Sequence, residues 1–234
     1  MIPRVNMAAA ETDPSVTPYS FGQLLSDIRP GFAFARYGDG EWHRILGWPR
    51  VEGRSEVFTP DLCAALQATL LEYNGVKLGM QSVEYLRKRE MFSPGCQWLE
   101  KNGLVHLKWY EADVMHRASA AGKFQRFADA MRGHDVVLVG PEYLGALPFV
   151  SRHIVTPKVF AWGHREEVFA QTDKLRDCIV LVSAGPLGKV LVHRLHGQDR
   201  GCCVIDTGAV LDPYCGVRSR YYMRARRQKF KPLR

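Results

Sequence analysis

The sequence predicts an α/β fold: a single Rossmann-like domain built on a central, mostly parallel sheet. Three stretches carry that prediction. Val136 to Val139 and Cys178 to Val182 are apolar at every position, as strands of a parallel sheet covered on both faces must be. Cys178 to Ile205 reads strand, glycine turn, helix, strand, a compact β-α-β unit whose strands run parallel. Phe32 to Ala35 is a short apolar run broken at Gly38 and Gly40 and followed by Trp42, Ile45 and Leu46 at helical spacing, a third strand-to-helix turn.

Taken in order, Met1 to about Ser20 holds three prolines and small polar residues and reads as a flexible arm. Phe21 to Ile28 is a short helix stopped by Pro30-Gly31. Phe32 to Arg36 is the first strand. Thr59-Pro60-Asp61 starts a helix, with proline at its first position and Leu62, Leu66 and Leu70 as its apolar stripe. Val76 to Met80 is a strand and Ser82 to Met91 a helix. Gln97 to Leu107 and Trp109 to Arg117 are predicted helical, and His106 and His116 there receive no role. Lys123 to Met131 is a helix and Val136 to Val139 a strand. Val155 to Trp162 contains another short strand, and Glu166 to Lys174 is a helix. Cys178 to Val182, Val190 to His196 and Cys202 to Ile205 complete the β-α-β unit.

The 234 residues suit one such domain. No run is long and apolar enough to span a bilayer, and the N-terminus lacks the pattern of a secretory signal. The six cysteines form no C-x-x-C pair and lie mostly in apolar runs, so reduced thiols in a cytoplasmic protein are expected rather than a zinc site. The net charge of +8 is local. Arg218, Arg220, Arg224, Arg226, Arg227, Lys229, Lys231 and Arg234 follow the last acidic residue and account for the whole excess. The expected division is therefore an arm over 1–20, a neutral domain over 21–217 and a basic tail over 218–234.

Asp39 and Glu41 are two carboxylates one glycine apart on a turn. Held together unpaired they repel, and a divalent cation such as Mg²⁺ or Mn²⁺ relieves the repulsion through oxygen ligands. The same residues also read as a turn and helix cap. Arg36, just before them, suits a phosphate or a carboxylate. The later turn Ser183 to Lys189 presents Gly185 and Pro186 at a helix start, where backbone N–H groups can face an anion, with Lys189 one turn in. Neither a Walker loop nor a G-x-G-x-x-G fingerprint is present, and tight strand–helix packing explains Gly185 as readily.

The string Ala35-Arg36-Tyr37-Gly38-Asp39-Gly40-Glu41-Trp42 resembles the R-(F/Y)-G-D-G-E signature of the GT-D-fold glycosyltransferases, whose domain was long catalogued as of unknown function. Gly185-Pro186 and Asp206-Thr207-Gly208 are similar to that family's later blocks, in the same order. One departure is Ala209, where many members have histidine. The resemblance implies a GT-D-type fold, a nucleotide-diphosphate sugar donor, and Asp39 and Glu41 as ligands of Mn²⁺ or Mg²⁺. It implies donor contacts from Arg36, Gly38, Gly185, Pro186, Lys189 and Arg220, the last through the similarity of Arg218-x-Arg220-Tyr221 to an (S/T)-R-x-Y element. Asp206, Asp212 and Glu142, each near a strand end, are candidates for the catalytic base; each reads equally as a cap or surface carboxylate. The expected reaction is sugar transfer to a glycan, glycolipid or glycoprotein acceptor, with Arg224 to Arg234 docking on an anionic inner membrane face or acceptor. The alternatives are a nucleic-acid-binding protein using Tyr221, Tyr222, Phe230 and the tail cations, and a metal-dependent nucleotide hydrolase or phosphotransferase.

Overall fold

The computed structural model describes residues 16–48, 59–224 and 230–234. Eight strands form one sheet: β1 (Val16–Thr17), β2 (Ala33–Tyr37), β3 (Lys77–Met80), β4 (Trp109–Glu111), β5 (Val136–Gly140), β6 (Arg152–Val155), β7 (Ile179–Val182) and β8 (Cys203–Asp206). Their order is β1-β4-β3-β2-β8-β7-β5-β6, and every pairing is parallel. All strands therefore end on one side of the molecule. The chain leaves central β2 toward β3 on one flank, while β8 joins it to β7 and β5 on the other. The carboxyl ends at such a reversal are the usual ligand position in sheets of this kind.

Alternation along each strand sorts the core into two layers. Ala33, Ala35 and Tyr37 of β2, Val137 and Val139 of β5, and Val180 and Val182 of β7 face one side. That side is covered by α2 (Asp39–Ile45), α3 (Pro60–Leu71), α4 (Val83–Lys88), α5 (Phe92–Lys101), α8 (Arg165–Thr172) and α9 (Pro186–Gly197). Phe34, Val136, Leu138, Ile179, Leu181 and Ile205 face the other side. There they meet α1 (Phe21–Asp27), α6 (Val114–Ala120) and α7 (Gln125–Met131). A short α10 (Tyr221–Arg224) follows β8.

The structure corrects four expectations. The arm does not run to residue 20: Val16 and Thr17 pair with Trp109 and Tyr110, and Tyr19 is buried against Phe34 and Tyr110. Trp109 to Arg117 is not one helix, because its first three residues add β4 beside β3 before α6 begins. The short strand expected within 155–162 is β6, which ends at Val155. The tail is not solvated to its end. Leu233 is buried in the second layer, Phe230 packs edge-on to Tyr214, and the Arg234 carbonyl accepts from Gln125 and Arg132. The tail residues 225–229 lie outside the described residues.

Candidate active site

The residues the sequence singled out meet at the ends of β2 and β8. α2 begins at Asp39 because Gly38 turns the chain without a side chain in the way, and the Glu41 carboxylate folds back to accept the Gly38 N–H at 2.9 Å, satisfying a donor that the helix start leaves unpaired. This places Glu41 under the sheet ends instead of in solvent. Asp206, the last residue of β8, is fully buried. Lys189 joins the two: its Nζ lies 3.1 Å from Glu41 Oε1 and 3.0 Å from Asp206 Oδ2. It also donates to the Gly185 carbonyl at 3.2 Å. Gly185 caps α9 with φ near +57°, and Pro186 opens the helix. A left-handed residue there favours glycine, so its backbone geometry alone accounts for the residue type.

An ammonium has three N–H donors, and these three acceptors take them all. Lys189, 3% exposed, is thus an internal cation and not a direct phosphate ligand. Burial opposes its charge, but Asp206 and Glu41 outweigh that and raise its proton affinity. Burial would likewise raise the Glu41 carboxyl; Lys189, the Gly38 N–H and Arg36 override it and bring the carboxyl down to about 2. Asp206 is engaged on both oxygens, Oδ2 by Lys189 and the Arg36 N–H and Oδ1 by the Gly208 N–H. With three of its roughly four acceptor sites filled, it anchors the site.

Arg36 points to the opposite face of the sheet. Its Nη2 bonds Asp113 at 2.8 Å, while its buried Nε has no hydrogen-bond partner. Gly208, at φ +53°, lets this part of the chain pack closely: a Cβ built there would touch Arg36 Nη1 at 3.6 Å and His116 Cε1 at 3.9 Å. His116, on the first turns of α6, is therefore part of the site. Burial, followed by Arg36, Arg220 and Lys189, holds its imidazole neutral, with its proton affinity well below the ordinary range. Arg220 itself is exposed.

Asp212 is also buried. It accepts from the Tyr143 hydroxyl at 2.9 Å and from Ser219. Burial raises its carboxyl despite those two bonds and the charge of Arg220. Glu142 stands apart: exposed, it lines a groove at the ends of β5 and β6 with Tyr143, Thr156, Pro157 and Lys158. Pro157 and Lys158 are shared with a neighbouring pocket lined by Gly185, Pro186, Arg44, Phe160 and Trp162.

Whether Asp39 and Glu41 form a two-carboxylate metal clamp depends on what already fills their oxygens. Glu41 is taken on both, by Lys189 and by the Gly38 N–H. Asp39 stays at the helix start, accepting the Gly40 N–H and, at 3.4 Å, the Tyr85 hydroxyl. The pair as arranged does not fit such a clamp, because the positive charge beside Glu41 is already supplied by Lys189. Asp39 retains the position and chemistry of a single oxygen ligand.

Asp113 and His116 escaped the sequence reading because their position follows from β4, which was read as helix. The available signal was Trp109-Tyr110-Glu111 itself, aromatic and alternating.

No protein-family model matches the sequence, and no curated protein matches it. Solved structures do. One is described as the highly conserved domain of unknown function 1792 with a distinct glycosyltransferase fold; the TM-score is 0.63 at 17% identity over 87% of this chain and 82% of that one. A second, a new glycosyltransferase of the same domain type from Streptococcus sanguinis, gives 0.64 at 16% identity over 94% and 95%. A selenomethionine form of this domain type gives 0.64 over 96% and 93%. The chain has that fold, as the resemblance of its early and late blocks implied.

Proposed function

We propose that this chain is a glycosyltransferase that moves a sugar from a nucleotide-diphosphate donor to a hydroxyl acceptor. One observation carries the reading beyond fold likeness. The Arg36–Glu41 block, the Gly185–Lys189 block and Asp206-Thr207-Gly208, distant in sequence, close into a single buried ion network at the carboxyl ends of β2 and β8.

The chemistry follows from that network. Glycosyl transfer leaves a diphosphate with developing negative charge, and preorganised cations in a poorly solvated site stabilise it most effectively. Arg36 brings its Nη1 close to Gly208 while its Nη2 holds Asp113, and Arg220 is exposed. Lys189 contributes through its field while fixing Glu41 and Asp206. The α9 start, with Gly185 and Pro186, borders the adjoining pocket, where Arg44 and Lys158 add positive charge. A Mn²⁺ or Mg²⁺ would rest on Asp39 and take its remaining oxygens from the donor phosphates, as Mg²⁺ commonly does. It would supply Lewis-acid stabilisation of the leaving diphosphate.

Among the described residues no helix is long and apolar enough to cross a membrane. A glycan, glycolipid or glycoprotein acceptor suits the reading; for a lipid-linked one, exposed Arg224 offers a basic group to anionic headgroups. Phe230 packs edge-on to Tyr214.

The test is a thermal-shift panel of nucleotide-diphosphate sugars with and without Mn²⁺. The reading expects stabilisation by one donor class and a reduced effect in Arg36→Ala. Stabilisation by nucleoside triphosphates alone would favour a hydrolase or phosphotransferase.

A further inference from the structure

Two thiols far apart in the chain meet at the end of the sheet opposite the candidate active site. Cys178 and Cys202 stand just before β7 and β8. Ile179 is in register with Cys203, so the two preceding cysteines are neighbours across the same parallel pair. Adjacent strands lie roughly 4.8 Å apart, inside the Cα separation of roughly 4.4–6.8 Å that a disulfide spans. The side chains point to the same layer, and their Sγ atoms are 3.7 Å apart. Cys203 alternates to the other layer and does not compete for either partner.

We propose that Cys178 and Cys202 form a peroxide-oxidisable dithiol, which closes to a disulfide that ties β7 to β8. This modification site does not depend on the glycosyltransferase reading. In the step, one thiolate sulfur attacks a peroxide oxygen. The S–O bond forms, the O–O bond breaks, and the departing hydroxide takes up the proton that the thiol released. The second sulfur then attacks the sulfenic sulfur. The S–S bond forms, the S–O bond breaks, and water leaves with the second thiol proton. The two sulfurs together lose two electrons, and one hydrogen peroxide becomes two waters. A dithiol reductant reverses the bond by exchange.

The surroundings suit this chemistry. Both thiols are nearly buried, at 4% and 6% exposure, so peroxide is a better match in size than a bulky disulfide. Each has an arginine beside it, and a neighbouring cation favours the reactive thiolate. Half-exposed Arg152 interacts with Cys178. Arg200 acts on Cys202, and its buried Nη1 has no hydrogen-bond partner. Asp135 and Asp177 oppose these cations, but Asp135 is itself tied to Arg152. The bond would close residues 178–202 into a loop containing β7, all of α9 and Lys189. Closing such a loop removes freedom from the unfolded chain, so oxidation should lock the unit that carries the ion network.

The test exposes the full-length folded protein to stepwise hydrogen peroxide, alkylates the remaining thiols, and maps peptides without reduction. The expected result is a Cys178–Cys202 linkage that forms before Cys63, Cys96 or Cys215 is oxidised and that dithiothreitol reverses. The oxidised protein should melt about 4 °C or more above the reduced one. Cys178→Ala and Cys202→Ala should abolish both the linkage and the shift, while Cys203→Ala should keep both. The linkage is read in the parent, so an unstable variant does not decide the matter. Sulfinic or sulfonic acid at either residue without the linkage would overturn the proposal, as would a linkage formed only in urea. A linkage that leaves the melting temperature unchanged or lowers it would refute the lock.

Discussion

Replacing Lys189 by methionine keeps most of the side-chain volume and removes the one ammonium between two buried carboxylates. Glu41 and Asp206 would then sit near each other, largely inaccessible to water, the latter fully so. Breaking a buried ion pair from one side costs about 3–5 kcal/mol, since the remaining charge stays unsolvated. Against a typical total of about 5–15 kcal/mol, that is a large fraction. The sign of the pH dependence is equally specific. In the parent, Glu41 is depressed from 4.5 to about 2, so its contribution is complete above the ordinary glutamate range. It is lost as pH falls from there toward 2, and by size amounts to about 3 kcal/mol. In Lys189→Met the opposing cation is gone and burial dominates, so a carboxyl takes up a proton in the folded state above its unfolded value. The variant should therefore gain stability as pH falls from 8 to 5, where the Glu41 contribution to parent stability is flat. Urea unfolding at both pH values reads this directly, and Glu41→Gln in the Lys189→Met background should restore part of the loss. A Lys189→Met variant within about 1 kcal/mol of the parent, with no change in pH slope, would refute the ion network as a stabilising unit.

Other expectations follow from the same geometry. Asp39→Asn should reduce Mn²⁺-dependent enhancement of donor binding in calorimetry with little change in unfolding free energy, whereas Glu41→Gln should cost about 1–3 kcal/mol by weakening a buried charged contact and should be seen first in denaturation. Equal loss of metal response in both folded variants would restore the two-carboxylate clamp. Leu233→Ala should lower stability by about 2 kcal/mol, because the closing residues are packed on α7; an unchanged urea midpoint would mean that the tail end contributes nothing to the core.

The fold was legible where the chain is apolar on both faces. Residues 136–139, 178–182 and 202–205 can only be central strands, and each is one within a residue. The sheet's edge was not legible. β1 has two residues and β4 three; such segments are set by the neighbour they pair with, which local pattern does not show. The site divides likewise. Arg36, Glu41, Lys189 and Asp206 stood out because charge at strand ends in apolar surroundings is conspicuous, and they do converge. Their partners were invisible, since Lys189 meeting Glu41 depends on the spatial adjacency of β2 and β8. Thus Glu41, one of the two carboxylates on the turn, is turned inward to a lysine that nothing in its own stretch announces. His116 entered the site only through the placement of α6 behind a strand read as helix.

The central claim is transfer of a sugar from a nucleotide-diphosphate donor, and its most direct measurement follows both products. A panel of donors labelled in the sugar is incubated with the protein, Mn²⁺ and a mixed glycan and glycolipid acceptor pool, and nucleoside diphosphate release is scored alongside label in the acceptor fraction. The account predicts that one donor gives both in equal amounts, and that Arg36→Ala, still folded, gives neither at the parent rate. No donor turned over, with nucleoside triphosphates hydrolysed at a rate sensitive to the same substitution, would contradict it.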